Sequence, residues 1–419
     1  MFIYVVKQGD FLFSIATKYQ VTMDSIRIYN GLRTDNLIPG QDLLILTNMY
    51  IVQPGDSLYL ISQMSSIPVE TLRLVNGLHS DMLMVGMQLY LPPRAKYEAV
   101  NSSFIVPTTP QENQNKVRQF APINTFFGIF EYHISEEGNL STLDDEQLIE
   151  LSRNHNVAPL AVITNLTPTG FSSQIIEEVL NTPVKTNNLI NNIYNLLKSK
   201  NYAGVNIDFE LVHENIRDLY SDFLRRLRER LKPDGYFTTV AVPAKTNDLV
   251  PWLKGYDYGG IGVAVDYVFI MAYDWHETSS PPGPVAPINE VRQTIEYALY
   301  QMPRNKIILG VQRYGYDWTM SDGKVIEATS ISTDAAVGTA IKYQVPIQYS
   351  TVYQQPFFNY RDNAGFRHEV WFENARARNK KLQLVVNYGL AGIGAWQLGQ
   401  LFIQSYTLVS EYLIAKKVI

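Results

Sequence analysis

Two carboxylates stand out in the run "GVNIDFELV", residues 204–212. Asp208 and Glu210 sit two positions apart in an otherwise apolar stretch. In an extended strand alternate side chains share a face. Gly204, Asn206, Asp208 and Glu210 therefore point one way, and Val205, Ile207, Phe209 and Leu211 the other. Stripping water from a carboxylate is costly, so a bland core would not hold two of them. Like charges this close cannot both ionise easily, which raises the pKa of one. A carboxylic acid that keeps its proton near neutral pH is what general acid catalysis needs. A buried, hydrogen-bonded acid pair without chemistry would fit the same spacing.

Other chemistries find no residues to carry them. The chain has no cysteine, which removes disulfides, thiolate metal sites and thiol nucleophiles. His79, His133, His155, His213, His276 and His368 form no metal-ligand spacing. "DWHE" at 274–277 reads as loop polarity. No Gly-rich phosphate loop and no G-x-S-x-G elbow is present, so neither metal nor cofactor is expected. The formal charge of −5 argues against nucleic acid held by bulk charge. Arg225, Arg226, Arg228 and Arg230 fall on the solvated face of a helix over 215–231. Apolar runs such as "YVFIMAY" are far shorter than the roughly 20 residues that span a bilayer. The start, "MFIYVVKQGD", has neither the basic nor the apolar segment of a secretory signal.

The elements that must position the acids come in two parts. Residues 4–46 repeat at 50–92 without gaps: "YVVKQGDFLFSIATKY" faces "YIVQPGDSLYLISQMS", and "IRIYNGL" faces "LRLVNGL". Gly9 matches Gly55, Asp10 matches Asp56, and Asn30 matches Asn76. Each copy reads strand, helix, helix, strand, with Asp10 or Asp56 as N-cap of the first helix and "NG" closing the second. Two small βααβ modules are expected, 1–47 and 48–93. "LPPRAKYEA" marks the boundary. Beyond it, residues 94–419 carry eight apolar strand-like runs alternating with helical stretches: "YEAVNSSFIV", "TFFGIFEYHI", "APLAVITNL", "YAGVNIDFEL", "YFTTVAVP", "DYVFIMAYD", "KIILGVQRYG" and "GIGAWQLG". That pattern predicts a (β/α)8 TIM barrel. Residues 315–390 are longer than a connection requires and read as an α+β insertion before the last strand, with a turn at "DNAG". In a barrel the polar face of 204–210 is the interior, and Glu210 lies toward the C-terminal mouth.

Each repeat copy resembles a LysM domain, on "Y-x-V-x-x-G-D-x-L/F-x-x-I" and "N-G-L". That resemblance implies binding of N-acetylglucosamine-containing glycans, with Gly9, Asp10, Asn30, Gly55, Asp56 and Asn76 as candidate contacts. Two structural modules that bind nothing are the bland reading. "G-V-N-I-D-F-E" resembles the D-G-x-D-x-D-x-E signature of family 18 glycoside hydrolases. The resemblance makes Glu210 the proton donor and Asp208 the acid that holds the substrate acetamido group. Ala203 and Asn206 stand where the family has aspartates. "FIMAYD" resembles the family's M-x-Y-D, which maps Tyr273 to the tyrosine orienting the acetamido carbonyl and places Met271 and Asp274 beside it. "GIGAWQLG" resembles the final strand, with Trp396 as floor under the reacting sugar, and "LGVQRYG" adds Tyr314. The implied mechanism is retaining and substrate-assisted.

Two LysM domains ahead of a family 18 barrel, without an export signal, resemble the spore cortex-lytic N-acetylglucosaminidases of Bacillus-type bacteria. The resemblance implies a monomer at the spore that cleaves after N-acetylglucosamine in cortex peptidoglycan during germination. A chitinase-type glycosidase on another N-acetylglucosamine glycan stays open, as does a non-catalytic glycan-binding coat protein.

Overall fold

The structure, a computed structural model, describes residues 1–419. Each repeat closes a two-stranded antiparallel sheet around two helices. In the first, Phe2–Val5 pairs with Asp42–Ile45. In the second, Met49–Ile51 pairs with Gln88–Tyr90. The helices between are Leu12–Lys18 and Met23–Asn30, then Leu58–Ser65 and Val69–Val75. The two modules fuse: Phe2, Tyr19 and Tyr50 meet in one apolar cluster, with the Phe2 and Tyr50 rings 5.0 Å apart. Gly31, as expected, caps its helix in the left-handed conformation.

Asp10 and Asp56 are not N-caps. Phe11 and Ser57 hold those positions. The Asp10 carboxylate instead accepts from the Lys7 amide at 2.7 Å and the Tyr4 hydroxyl at 2.6 Å. Asp56 does the same with Gln53 and Tyr50. A short acid one residue before the cap reaches back across its own turn more easily than forward into the helix.

Eight parallel strands close the barrel: β1 (Tyr97–Ile105), β2 (Phe126–His133), β3 (Ala158–Thr164), β4 (Gly204–Asp208), β5 (Phe237–Pro243), β6 (Tyr267–Met271), β7 (Ile307–Gln312) and β8 (Gly392–Trp396). Closure comes from β8 pairing with β1, Gly392 opposite Val100. Each predicted apolar run contains one strand. Gly392 is required there: a Cβ would lie 1.6 Å from the Val100 carbonyl oxygen. Alternation sorts the side chains. Val205, Ile207 and Phe209 join the large shell between strands and helices. A smaller set, including Phe104, Phe126, Leu160 and Phe269, fills the interior. The helix over the arginine cluster runs Arg217–Leu231, and Arg225 pairs with Asp222 and Glu229 on its solvent side.

Between β7 and β8 the chain leaves the barrel. Tyr314–Ser321, Lys324–Ser332, Gln348–Ser350, Gln355–Arg361 and Arg367–Trp371 form a five-stranded antiparallel sheet backed by the helix Thr333–Lys342. The turn at Asp362–Gly365 joins two of these strands, with Gly365 at φ +89°. The chain returns through the helix Ala375–Tyr388. Buried Glu373 anchors the return. Its carboxylate meets Lys381 Nζ at 2.6 Å and Arg378 Nε at 3.4 Å. It also accepts from Gln312 at the end of β7 and from Gln355 of the insertion.

The first module is fixed to the barrel. The Asp42 carboxylate accepts from the amide and the Nε of Arg376, and Gln404 donates to Asn30 Oδ1 and the Asp42 carbonyl. The second is held by Ser66 and Gln63 against Asn379 and Lys380. No helix is long and apolar enough to cross a membrane.

Candidate active site

Strand β4 ends at Asp208, so Glu210 lies just past it, on the C-terminal rim. The chain then turns: Leu211 takes φ +59° and is 51% exposed, not packed under the helices as strict alternation predicts. Glu210 is held by its backbone. Its amide donates to Asn165 Oδ1 at 2.8 Å, and its carbonyl accepts from Asn165 Nδ2 at 2.8 Å. Asn165 is fully buried at the end of β3 and donates also to the Ser172 carbonyl. A two-way amide clamp of this kind fixes the Glu210 Cα without using its carboxylate.

Asp208 is 5% exposed, and its Oδ1 has no hydrogen-bond partner. Asn206, one inward position deeper, donates to Thr239 Oγ1 at 2.8 Å and leaves its own Oδ1 without a partner. Burial, then the charges of Glu210 and Glu131, push the Asp208 carboxyl well above the ordinary range. Burial and the neighbouring Asp274 raise Glu210 to about 7. Both acids therefore hold protons far closer to neutrality than free carboxyls do.

The remaining candidates gather on the same rim. Met271 ends β6, and Tyr273 and Asp274 follow it. Asp274, at φ +63°, accepts from the Tyr314 hydroxyl at 2.9 and 2.8 Å and from Tyr316 at 3.1 Å. Burial raises its carboxyl to about 6 against the hydrogen bonds from those two tyrosines. The charges of Asp274, Asp208 and Glu210 all act on the Tyr273 phenol, which burial pushes well above its usual value. Trp396 ends β8, with its ring 4.7 Å from Phe130 and 5.5 Å from Phe104, centroid to centroid. Acids, tyrosines and an indole thus ring one mouth, the composition of a site for a neutral polar ligand with an apolar face.

Asn165, Tyr316 and Glu131 were not anticipated. Glu131 offered the same signal as the opening pair, an acid within an apolar strand run. Asn165 and Tyr316 act on the rim from elements whose sequences look ordinary.

The six module candidates lie elsewhere. Asn30 donates to the Ile26 and Leu44 carbonyls and accepts from the Leu44 amide. Asn76 repeats this with Leu72 and Tyr90. These amides latch the second helix of each module to its last strand. Gly9 and Gly55 take positive φ in the turns braced by Asp10 and Asp56. A cavity of about 450 Å³ lies away from the carboxylates, between the first module and the helix Thr333–Lys342.

Comparison with known proteins places this geometry. Residues 96–400 match the model of glycosyl hydrolases family 18, and residues 4–45 and 50–92 match the LysM domain. The YdhD protein of Bacillus subtilis (strain 168), named as a sporulation-specific glycosylase, is 47% identical over 420 residues and covers 100% of both chains. The cortical fragment-lytic enzyme of Bacillus anthracis is 39% identical, covering 99% of each chain. The crystal structure of the Bacillus cereus spore cortex-lytic enzyme SleL superposes with a TM-score of 0.90 at 35% identity, over 99% of each chain.

Proposed function

The chain belongs to glycosyl hydrolases family 18, and from that premise we propose that it is a β-N-acetylglucosaminidase of spore cortex peptidoglycan. In this reading it cleaves the β-1,4 bond after N-acetylglucosamine by a retaining, substrate-assisted route. The observation that carries the mechanism is the pairing of Glu210, raised to about 7, with buried Asp208 at the barrel mouth.

Glu210 protonates the glycosidic oxygen as the bond breaks. Its backbone clamp to Asn165 holds it in position for that transfer. The substrate's own acetamido carbonyl attacks C1, so no protein nucleophile is needed. Asp208 accepts from the acetamido N–H and so stabilises the oxazolinium that forms beside it. Tyr273 orients the acetamido group from the opposite side. Asp274 keeps Tyr314 and Tyr316 in place on the same rim. Trp396 supports the apolar face of the sugar. Glu210, now ionised, takes a proton from water, which opens the oxazolinium with net retention. Asn206 and Met271 line the floor beneath. The LysM modules hold the glycan strand near the cleft, and the protein acts at the spore as a monomer.

The test is product release from purified spore cortex peptidoglycan, wild type against Glu210→Gln, with mass-spectrometric identification of reducing ends. Loss of the general acid is expected to lower kcat by about 10²-fold or more. Reducing-end N-acetylglucosamine from the wild type alone supports the reading. Reducing-end muramic acid would reassign the bond, and binding without any product would leave a glycan-binding protein.

A further inference from the structure

Asn206 lies beneath Asp208 and carries no charge, and its Oδ1 has no partner. A carboxylate stands on the other side of Asp208 instead. In β2 the register with β3 slips by one residue between Ile129 and Tyr132. A bulge of this kind re-aims the side chains it carries. Here Phe130 packs against the interior cluster and Trp396, while Ile129 and Tyr132 lie in the outer shell. Glu131 follows Phe130 and accepts from Thr164 Oγ1 at 3.0 Å. Thr164 is fully buried and is the register partner of Asp208 on the adjoining strand. The bulge therefore brings a third acid to the wall of the site, one hydroxyl away from the Asp208 strand.

We propose that Glu131 is a positioning residue of the active site, whose negative charge sets the charge state of Asp208. The proposal rests on reading Asp208 and Glu210 as the reacting pair. The groups facing Glu131 are Thr164 from β3, Asp208 from β4 and His133 from its own strand. Burial raises the Glu131 carboxyl above its ordinary range, while the Thr164 hydroxyl and His133 pull it back toward the ionised form. Where it is ionised, Glu131 disfavours ionisation of Asp208 and so keeps a proton on it in the resting enzyme.

The experiment is the pH profile of kcat/KM on cortex fragments for wild type, Glu131→Gln and Glu131→Asp. The basic limb carries the ionisation of Asp208, which holds its proton in the resting enzyme. It is expected to move down by about half a pH unit or more in Glu131→Gln, with KM nearly unchanged, and to return most of the way in Glu131→Asp. A lower kcat with the limb unmoved would mean a merely structural residue and would overturn the proposal. A second readout needs no turnover. The gain in Tm from Glu131→Gln at pH 7 is expected to shrink when Asp208 is already Asn, and equal gains in both backgrounds also overturn it. Failure of wild type to cleave any N-acetylglucosamine glycan would sink the reading of the acid pair, and the thermal cycle would still decide whether Glu131 and Asp208 are coupled.

Discussion

At the scale of single residues, the site works against stability. Asp208 is buried with one oxygen unpartnered, and its folded pKa lies well above the ordinary 3.8. Below about pH 4 both folded and unfolded chains carry that proton, and the acid costs nothing. Above it the unfolded chain ionises while the folded one does not, so stability falls as pH rises toward the folded pKa. Glu210 adds the same trend between 4.5 and about 7. Asp208→Asn is therefore expected to abolish hydrolysis yet stabilise the fold by about 1–3 kcal/mol at pH 7, a gain that vanishes near pH 4. Thermal unfolding across that range measures it, and a variant less stable than wild type at pH 7 would contradict the electrostatic account. The acid pair was legible in the sequence because burying two carboxylates in an apolar strand is costly, and the resemblance to the family 18 signature favoured chemistry over a merely structural pair. The clamp by Asn165 was not, since an asparagine after a strand usually makes a turn. Its two bonds to Glu210 exist only once β3 and β4 are side by side.

At the scale of elements, period and length identified the eight barrel strands, because each is a short apolar run between helices. What the pattern could not give is how the insertion is tied back. That task falls to Glu373, an acid with no sequence neighbours to announce it. It touches β7 through Gln312, the insertion through Gln355, and the returning helix through Lys381 and Arg378. Arg378 also donates to the Gln312 carbonyl. Removing the acid leaves two cations buried without a counter-charge. Glu373→Ala is expected to cost about 3–5 kcal/mol, read by denaturant unfolding. A combined change of Glu373, Arg378 and Lys381 to apolar residues of similar volume should recover much of the loss. If Glu373→Ala unfolds at the wild-type midpoint, the junction is not held by this charge cluster. Because Tyr314 and Tyr316 reach Asp274 from the first insertion strand, loosening the junction is also expected to disturb the rim.

At the scale of the whole molecule, identical residues in the two repeats do different work. Asn30 and Asn76 latch their own modules in the same way, but only Asn30 is also met by Gln404 from the barrel's last helix. A Cβ on Gly40 would lie 1.8 Å from the Ile347 carbonyl oxygen, whereas Gly86 has open space. Ile38 packs into the core of the insertion, and its counterpart Met84 is 68% exposed. A repeat read from sequence alone suggests two equivalent arms, since nothing local distinguishes a docked loop from a free one. The first module is instead the one wedged against the insertion and the barrel's last helix, and Asp42 with Arg376 is the central pair of that contact. Asp42 is 5% exposed, and burial raises its carboxyl against the pull of Arg376. Arg376→Ala leaves that acid buried without its cation, a loss of about 3–5 kcal/mol for the docked state. The expected outcome is faster amide hydrogen exchange in Asp42–Ile45 and Met23–Asn30. Arg27→Ala, which breaks exposed pairs with Asp24 and Asp35 on the same module, should leave exchange there unchanged. Equal protection in both variants would mean that the modules hold their place through the shared apolar contacts alone.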